Sequence, residues 1–340
     1  PVSPRFVGLD GESLADDFGA RSQFARDGVR ALVDAIDASD SSEVACARHL
    51  WMAALEATFG EDRRRLDGGL EALAATFPLG RKVDPLGLLF AVQTYYVLIV
   101  KCIAWQAAAS SRRSPGLVEL AGGSACSKGL RRLMQSVESD GVGFVVDGQA
   151  ATSDPFAWYL HGWSEAIEAW LRRAAAVWGQ YDFRSATDGT GTVGDMFRAL
   201  YQRTFPKRLR RVLGEYYTPD WLVEQMLDDV GYAPAPDARL LDPACGSGAF
   251  LVSAIRRLRA GWPGQDTREE AGARALCQTI LANVVGIDLN PLAVAAARAN
   301  YLTAIGDLLP HAGPVEIPVY LGDSILGRHP GLSDFQHRFD

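Results

Sequence analysis

The sequence predicts an α/β protein: an all-helical N-terminal domain over residues 1–190, then, over 193–340, the first half of a doubly wound parallel sheet. Three observations predict it. As far as Leu213, apolar residues recur at spacings of three and four, the period of a helix with one buried face. Beyond Gly231, short apolar runs alternate with helical stretches, strand–helix–strand–helix–strand, which asks for parallel pairing with crossovers. The length of 340 residues, at roughly 100–200 per domain, suits two cores.

The helical part reads in order as helices over 14–36, 44–59, 66–77 and 86–109, with Asp84-Pro85 starting the fourth. Residues 110–153 are rich in Gly and Ser and predict loops around a short helix at 130–137. A long helix follows over 155–178, its Trp158, Trp163, Trp170 and Trp178 read as core. Residues 185–192 predict a linker, and 193–213 a helix that kinks or stops near Phe205 because of Pro206. The second part predicts a helix at 220–230, then strands at 239–242, 284–288 and 317–321. Helices at 248–259, 268–281 and 291–305 connect them.

Composition narrows the function. With 48% hydrophobic and 22% charged residues, the chain is neither disordered nor fibrous. A net charge of -7 means that any nucleic-acid contact needs a local basic patch or a part outside this sequence. Cys46, Cys102, Cys126, Cys245 and Cys277 form no CxxC pair, which argues against a disulfide framework or metal site and suits a reducing, cytoplasmic setting. The opening residues carry no apolar secretory run, and Gln93, Lys101 and Gln106 interrupt the apolar stretch 86–109, so a buried core helix rather than a membrane span is expected.

The chemistry-bearing segment is Asp242-Pro243-Ala244-Cys245-Gly246-Ser247-Gly248, between a strand and a helix. A doubly wound sheet binds its ligand at the strand carboxyl ends, and small residues there let the backbone approach it. An acid at Asp242 would repel a pyrophosphate but suits a cationic amino-acid moiety, which favours S-adenosylmethionine over a dinucleotide. Asp288 ends the next strand, where an acid accepts hydrogen bonds from ribose hydroxyls. Asn290-Pro291 then starts a helix. Asp323 follows the third strand. Taken singly each is a common turn; three acids on three strand ends are specific.

Together with Gly214-Glu215-Tyr216-Tyr217-Thr218-Pro219 and Asn300-Tyr301-Leu302, these segments resemble the adenine-N6 DNA methyltransferases. The spelling is most similar to the large enzymes of restriction-modification and phage-defence systems (type IIG, BREX or DISARM-like). The resemblance covers about residues 193–327 and implies a Rossmann-like S-adenosylmethionine-dependent methyltransferase sheet. By it, Tyr217, Thr218 and Pro219 line one side of the cofactor pocket. Asp242 with Ala244, Cys245, Gly246, Ser247 and Gly248 holds the methionine moiety. Asp288 holds the ribose, Leu289 packs on the adenine face, and Asp323 meets the adenine amino group. Duplex DNA is the implied acceptor, with other defence-system subunits as further partners.

The family's catalytic Asn/Asp-Pro-Pro-Tyr/Phe is not in this sequence. Its Asn residues are Asn283, Asn290 and Asn300, none followed by Pro-Pro, and Asp154-Pro155-Phe156 stands in the helical part. The expectation is therefore the front part of a longer enzyme, inactive alone, with Arg239–Asp242 left as an apolar sheet edge. A methyltransferase acting on protein or RNA, or a non-catalytic docking subunit, are the alternatives. Lys207–Arg211 could be a solvated face or a phosphate contact, and Arg63–Arg65 and Arg172-Arg173 are candidate DNA contacts.

Overall fold

The computed structural model describes residues 7–59, 63–112, 127–139, 154–183, 196–213, 218–233, 235–264, 266–313 and 315–326. Helices α1 (Gly11–Phe18), α2 (Gln23–Asp37), α3 (Ser42–Phe59), α4 (Asp67–Thr76) and α5 (Pro85–Arg112) open the chain. Helices α6 (Ser127–Ser139) and α7 (Glu165–Trp178) follow. Next come α8 (Met196–Thr204), α9 (Lys207–Val212) and α10 (Asp220–Asp229).

Local chemistry sets these boundaries. Asp84 caps α5 by accepting from the Gly87 N–H at 3.0 Å, as the Asp84-Pro85 start signal anticipates. Pro206 separates α8 from α9, as expected from its missing N–H. Two expected helices are each divided in the structure. The first turns at Gly19 and restarts where Ser22 caps α2, accepting from the Ala25 N–H at 3.0 Å. The second opens as a 3-10 turn, Ala157–Leu160, and restarts at Ser164, the cap of α7. A two-residue parallel bridge, β1 (Val7–Gly8) with β2 (Tyr181–Asp182), corrects the all-helical reading of the N-terminal part.

Helix α5 is the centre of the helical part. Residues Pro85–Ala108 are long and apolar enough to cross a membrane, yet 94% of the apolar window lies buried inside the fold. Trp158, Trp170 and Trp178 are buried and Trp163 packs half-buried against the same core, so the tryptophan stripe is core.

The second part is a three-stranded parallel sheet in the order β3 (Leu240–Asp242), β4 (Val284–Asp288), β5 (Val319–Leu321). Asp242 pairs in register with Gly286, and Asp288 with Leu321, which sets the acid-bearing ends side by side. Among the described residues β3 is an edge, and Leu241 is 54% exposed there. Helix α11 (Ala249–Ala260) packs on β3 and β4, α12 (Glu270–Asn283) on β4, and α13 (Pro291–Ala304) on β4 and β5. A short helix, α14 (Leu309–Ala312), precedes β5.

Helix α13 lies between the sheet and α5 and packs along α5 more extensively than on any strand. Twelve of its fourteen residues are consequently buried. The buried side chains of both parts form one continuous hydrophobic core. The boundary expected at 190–193 falls outside the described residues.

Candidate functional site

The site is built where β3 and β4 end. Asp242 closes β3, and its Oδ1 accepts from the Ala244 N–H at 3.1 Å, starting a tight turn. The Cys245 N–H donates to the Ile287 carbonyl at 2.9 Å, so the turn stays fastened to β4. Gly246 and Gly248 both adopt positive φ, +54° and +87°, conformations that favour glycine. A Cβ on Gly246 would meet nothing within 4 Å, so this backbone faces open space. A Cβ on Gly248 would instead lie 3.2 Å from the Ala297 Cβ, where α11 and α13 approach closely. Asn300 Nδ2 donates to the buried Ser247 carbonyl at 3.0 Å, anchoring the turn to α13.

Asp288 organises the adjacent strand end. Its Oδ2 accepts from the Gly246 N–H and its Oδ1 from the Asn290 N–H, both at 2.8 Å. Its carbonyl accepts from the Gly322 N–H at 2.9 Å, which ties in the turn carrying Asp323. Asn290 caps α13, its Oδ1 accepting from the Leu292 N–H at 2.9 Å. A carboxylate has about four lone-pair sites, so two such bonds leave Asp288 able to accept more.

Electrostatics set these two acids apart. Burial raises the pKa of Asp288 above the ordinary 3.8, although N–H donors from Asn290, Gly246 and Leu289 oppose the shift. Burial also raises that of Asp242, and the neighbouring Asp288 charge adds to it. Among the described residues no Lys or Arg forms an ion pair with Asp242, Asp288 or Asp323. Two neighbouring acids without a basic partner make a site that attracts a cation. Burial holds the Cys245 thiol well above its ordinary pKa, which leaves it a packing residue rather than a nucleophile.

The other sequence-predicted residues are placed as follows. Thr218 and Pro219 sit at the start of α10, where the Pro219 carbonyl accepts from the Leu222 and Val223 N–H groups. Glu224 of α10 takes Ser253 and Arg257 of α11 as partners, the Arg257 Nη2 contact being 2.7 Å, so α10 is pinned beside the site helix. Tyr217 lies outside the described residues. Leu289 is half-buried beside Asp288. Asp323 is half-buried and Oδ1 accepts from the Ile325 and Leu326 N–H groups at 2.9 Å, so the acid also shapes its own turn.

The positions missed by sequence reasoning are Glu224, Arg257 and the anchoring role of Asn300. Asn300 carried a signal, a lone amide in an Ala-rich helix. The Glu224–Arg257 pairing carried none.

Comparison with known proteins bears on the same segment. Residues 189–304 match the family model described as N-6 DNA Methylase, the family that the motifs at 214–219, 242–250 and 287–291 resemble. Over 186 residues, 48% of this chain, the sequence is 32% identical to the adenine-specific methyltransferase PglX of Streptomyces coelicolor. The chain covers 15% of that relative's length. The solved cryoEM structure of a DrdV-DNA complex is 15% identical, with a TM-score of 0.31 over 91% of this chain and 27% of that chain.

Proposed function

We propose that this chain is the cofactor-binding front part of an adenine-N6 DNA methyltransferase, acting in the cytoplasm in restriction-modification or phage defence. The observation that carries it is the pair Asp242 and Asp288, half-buried on adjacent strand ends with no basic partner among the described residues, inside the segment that matches the N-6 DNA methylase family. S-adenosylmethionine fits this charge: its ammonium and sulfonium groups are cationic, and its ribose hydroxyls are donors. When bound, it supplies the electrophilic methyl group.

The chain's own residues bind and orient. Asp242 with the turn Ala244 to Gly248 receives the amino-acid end. Asp288, held rigid by Gly246 and Asn290, accepts from the ribose through its remaining lone pairs. Leu289 lies against the adenine, and Asp323 faces its amino group. Thr218 and Pro219, fixed by the α10–α11 ion pairs, form a side wall. The sheet is the cofactor half of a Rossmann-like arrangement, and its three strands run in one direction in chain order. This sequence contains no Asn-Pro-Pro-Tyr element to hold an extruded adenine, so the part proposed for its residues is cofactor binding.

Calorimetric titration with S-adenosylmethionine tests the reading. Each hydrogen bond to a charged group contributes roughly 1.5–3 kcal/mol, so Asp288→Ala is expected to weaken binding by about tenfold or more. Equal affinity of both forms removes Asp288 from the ribose role.

A further inference from the structure

The fold brings together two basic runs that lie far apart in sequence. Helix α9 packs against α4 and against the 3-10 turn Arg63–Leu66 that leads into α4. Leu209 is the buried anchor of α9, and its Cα would lie only 3.0 Å from a Cβ on Gly69. The Arg208 guanidinium rests directly over Gly68, in the first turn of α4. A Gly68-Gly69 pair thus lets α9 lie flush on α4. Lys207, Arg208 and Arg211 are left exposed beside Arg64 and Arg65.

Helix α9 itself carries four cations, Lys207, Arg208, Arg210 and Arg211, and no acid among its six residues, so its surface is locally positive on a chain of net charge -7. Among the described residues Lys207, Arg208 and Arg211 form no ion pair, whereas the other candidate, Arg172-Arg173, is engaged. Arg172 pairs with Glu168 at 2.8 Å and Arg173 with Asp27 at 3.1 Å. Position matters equally. Leu213, the residue after α9, lines a cleft together with Asn290 and Pro291, which directly follow Asp288 and Leu289. The C-terminal end of α9 thus approaches the start of α13.

We propose that Lys207, Arg208 and Arg211 form a docking surface for the phosphate backbone of duplex DNA. This deepens the reading above and rests on it for the choice of duplex. Phosphate contacts position a duplex without reading its sequence, which suits a surface of exposed cations with no base-reading element.

The test measures fluorescence anisotropy of a labelled duplex against the whole 340-residue chain over a salt series. Lys207→Glu with Arg208→Glu is expected to weaken binding by at least about tenfold and to lower the slope of log K against log salt by about two. Lys207→Gln with Arg211→Gln, a milder change at exposed positions, should weaken it in the same direction. Arg172→Glu with Arg173→Glu should leave it nearly unchanged. Unaltered duplex affinity in both patch variants overturns the proposal, as does at least tenfold tighter binding of RNA of the same length. Calorimetry with S-adenosylmethionine separates the two readings. Cofactor binding retained in the patch variants shows an intact fold, and absence of cofactor binding by the parent chain defeats the methyltransferase reading alone.

Discussion

The backbone N–H of Gly246 donates to Asp288 Oδ2 at 2.8 Å, so the acid that ends β4 clamps the turn that follows β3. One side chain thereby shapes the loop and presents charge to whatever the loop holds. The clamp works best with an ionised carboxylate, yet burial favours the protonated acid. A cationic ligand would resolve that conflict.

A pH dependence follows. With no cation beside it, Asp288 keeps its proton to a higher pH than the 3.8 of an unfolded carboxylate, so folding gains less from this group as pH rises through that window. Asp242 has the same sign. A bound cation favours ionisation, so S-adenosylmethionine affinity should rise with pH from about 4, releasing protons on binding, and level off toward neutrality. Asp288→Asn should bind more weakly with a flatter profile. Calorimetry in buffers of different ionisation enthalpy reads both. PH-independent affinity in the parent chain would count against a site built on these acids.

Gly248 offers a steric test. Gly248→Ala forces an L residue to φ +87° and adds a Cβ 3.2 Å from that of Ala297. Left-handed strain alone costs about 1–2 kcal/mol, and the close approach to α13 adds to it. Gly231→Ala is the control, with φ +68° and nothing within 4 Å of its added Cβ. Urea denaturation should show Gly248→Ala as the less stable variant, and it alone should lose cofactor affinity. Equal destabilisation would mean that α13 yields readily at Ala297.

Much of this site was legible because its chemistry is local. Asp242 to Gly248 and Asp288 to Pro291 each combine strand end, turn and helix start within a few residues, and the structure keeps those elements together. Caps were legible for the same reason at Asp84-Pro85 and Asn290-Pro291. The breaks at Gly19–Ser22 and Gly162–Ser164 were hidden because apolar spacing runs across them. Side-chain pairing between distant elements was not legible. Glu224 and Arg257 stand 33 residues apart, and no local pattern couples them. Nor does periodicity show that α5 packs along α13, since both helices read simply as apolar.

Lys101 illustrates that limit and carries the last prediction. In the sequence it interrupts an apolar stretch; in the structure it is fully buried between Glu138 and Asp154, which lie 37 and 53 residues further along. Tyr159 Oη donates to Glu138 Oε1 and the Phe156 N–H donates to Asp154 Oδ1, both at 2.8 Å. Lys101→Met would leave two buried carboxylates without their cation, a change that costs about 3–5 kcal/mol. The sign with pH is fixed by Glu138. Burial raises its pKa above 4.5, against the pull of Lys101, and loss of that cation raises it further. The folded variant then holds protons that the unfolded chain has released, so its stability falls as pH rises above that value. Its deficit against the parent should be small near pH 4 and full near pH 7. Adding Glu138→Gln should recover part of it at neutral pH. Denaturant midpoints at the two pH values decide the matter, and a variant as stable as the parent at neutral pH would show that the cluster is not held by its charge.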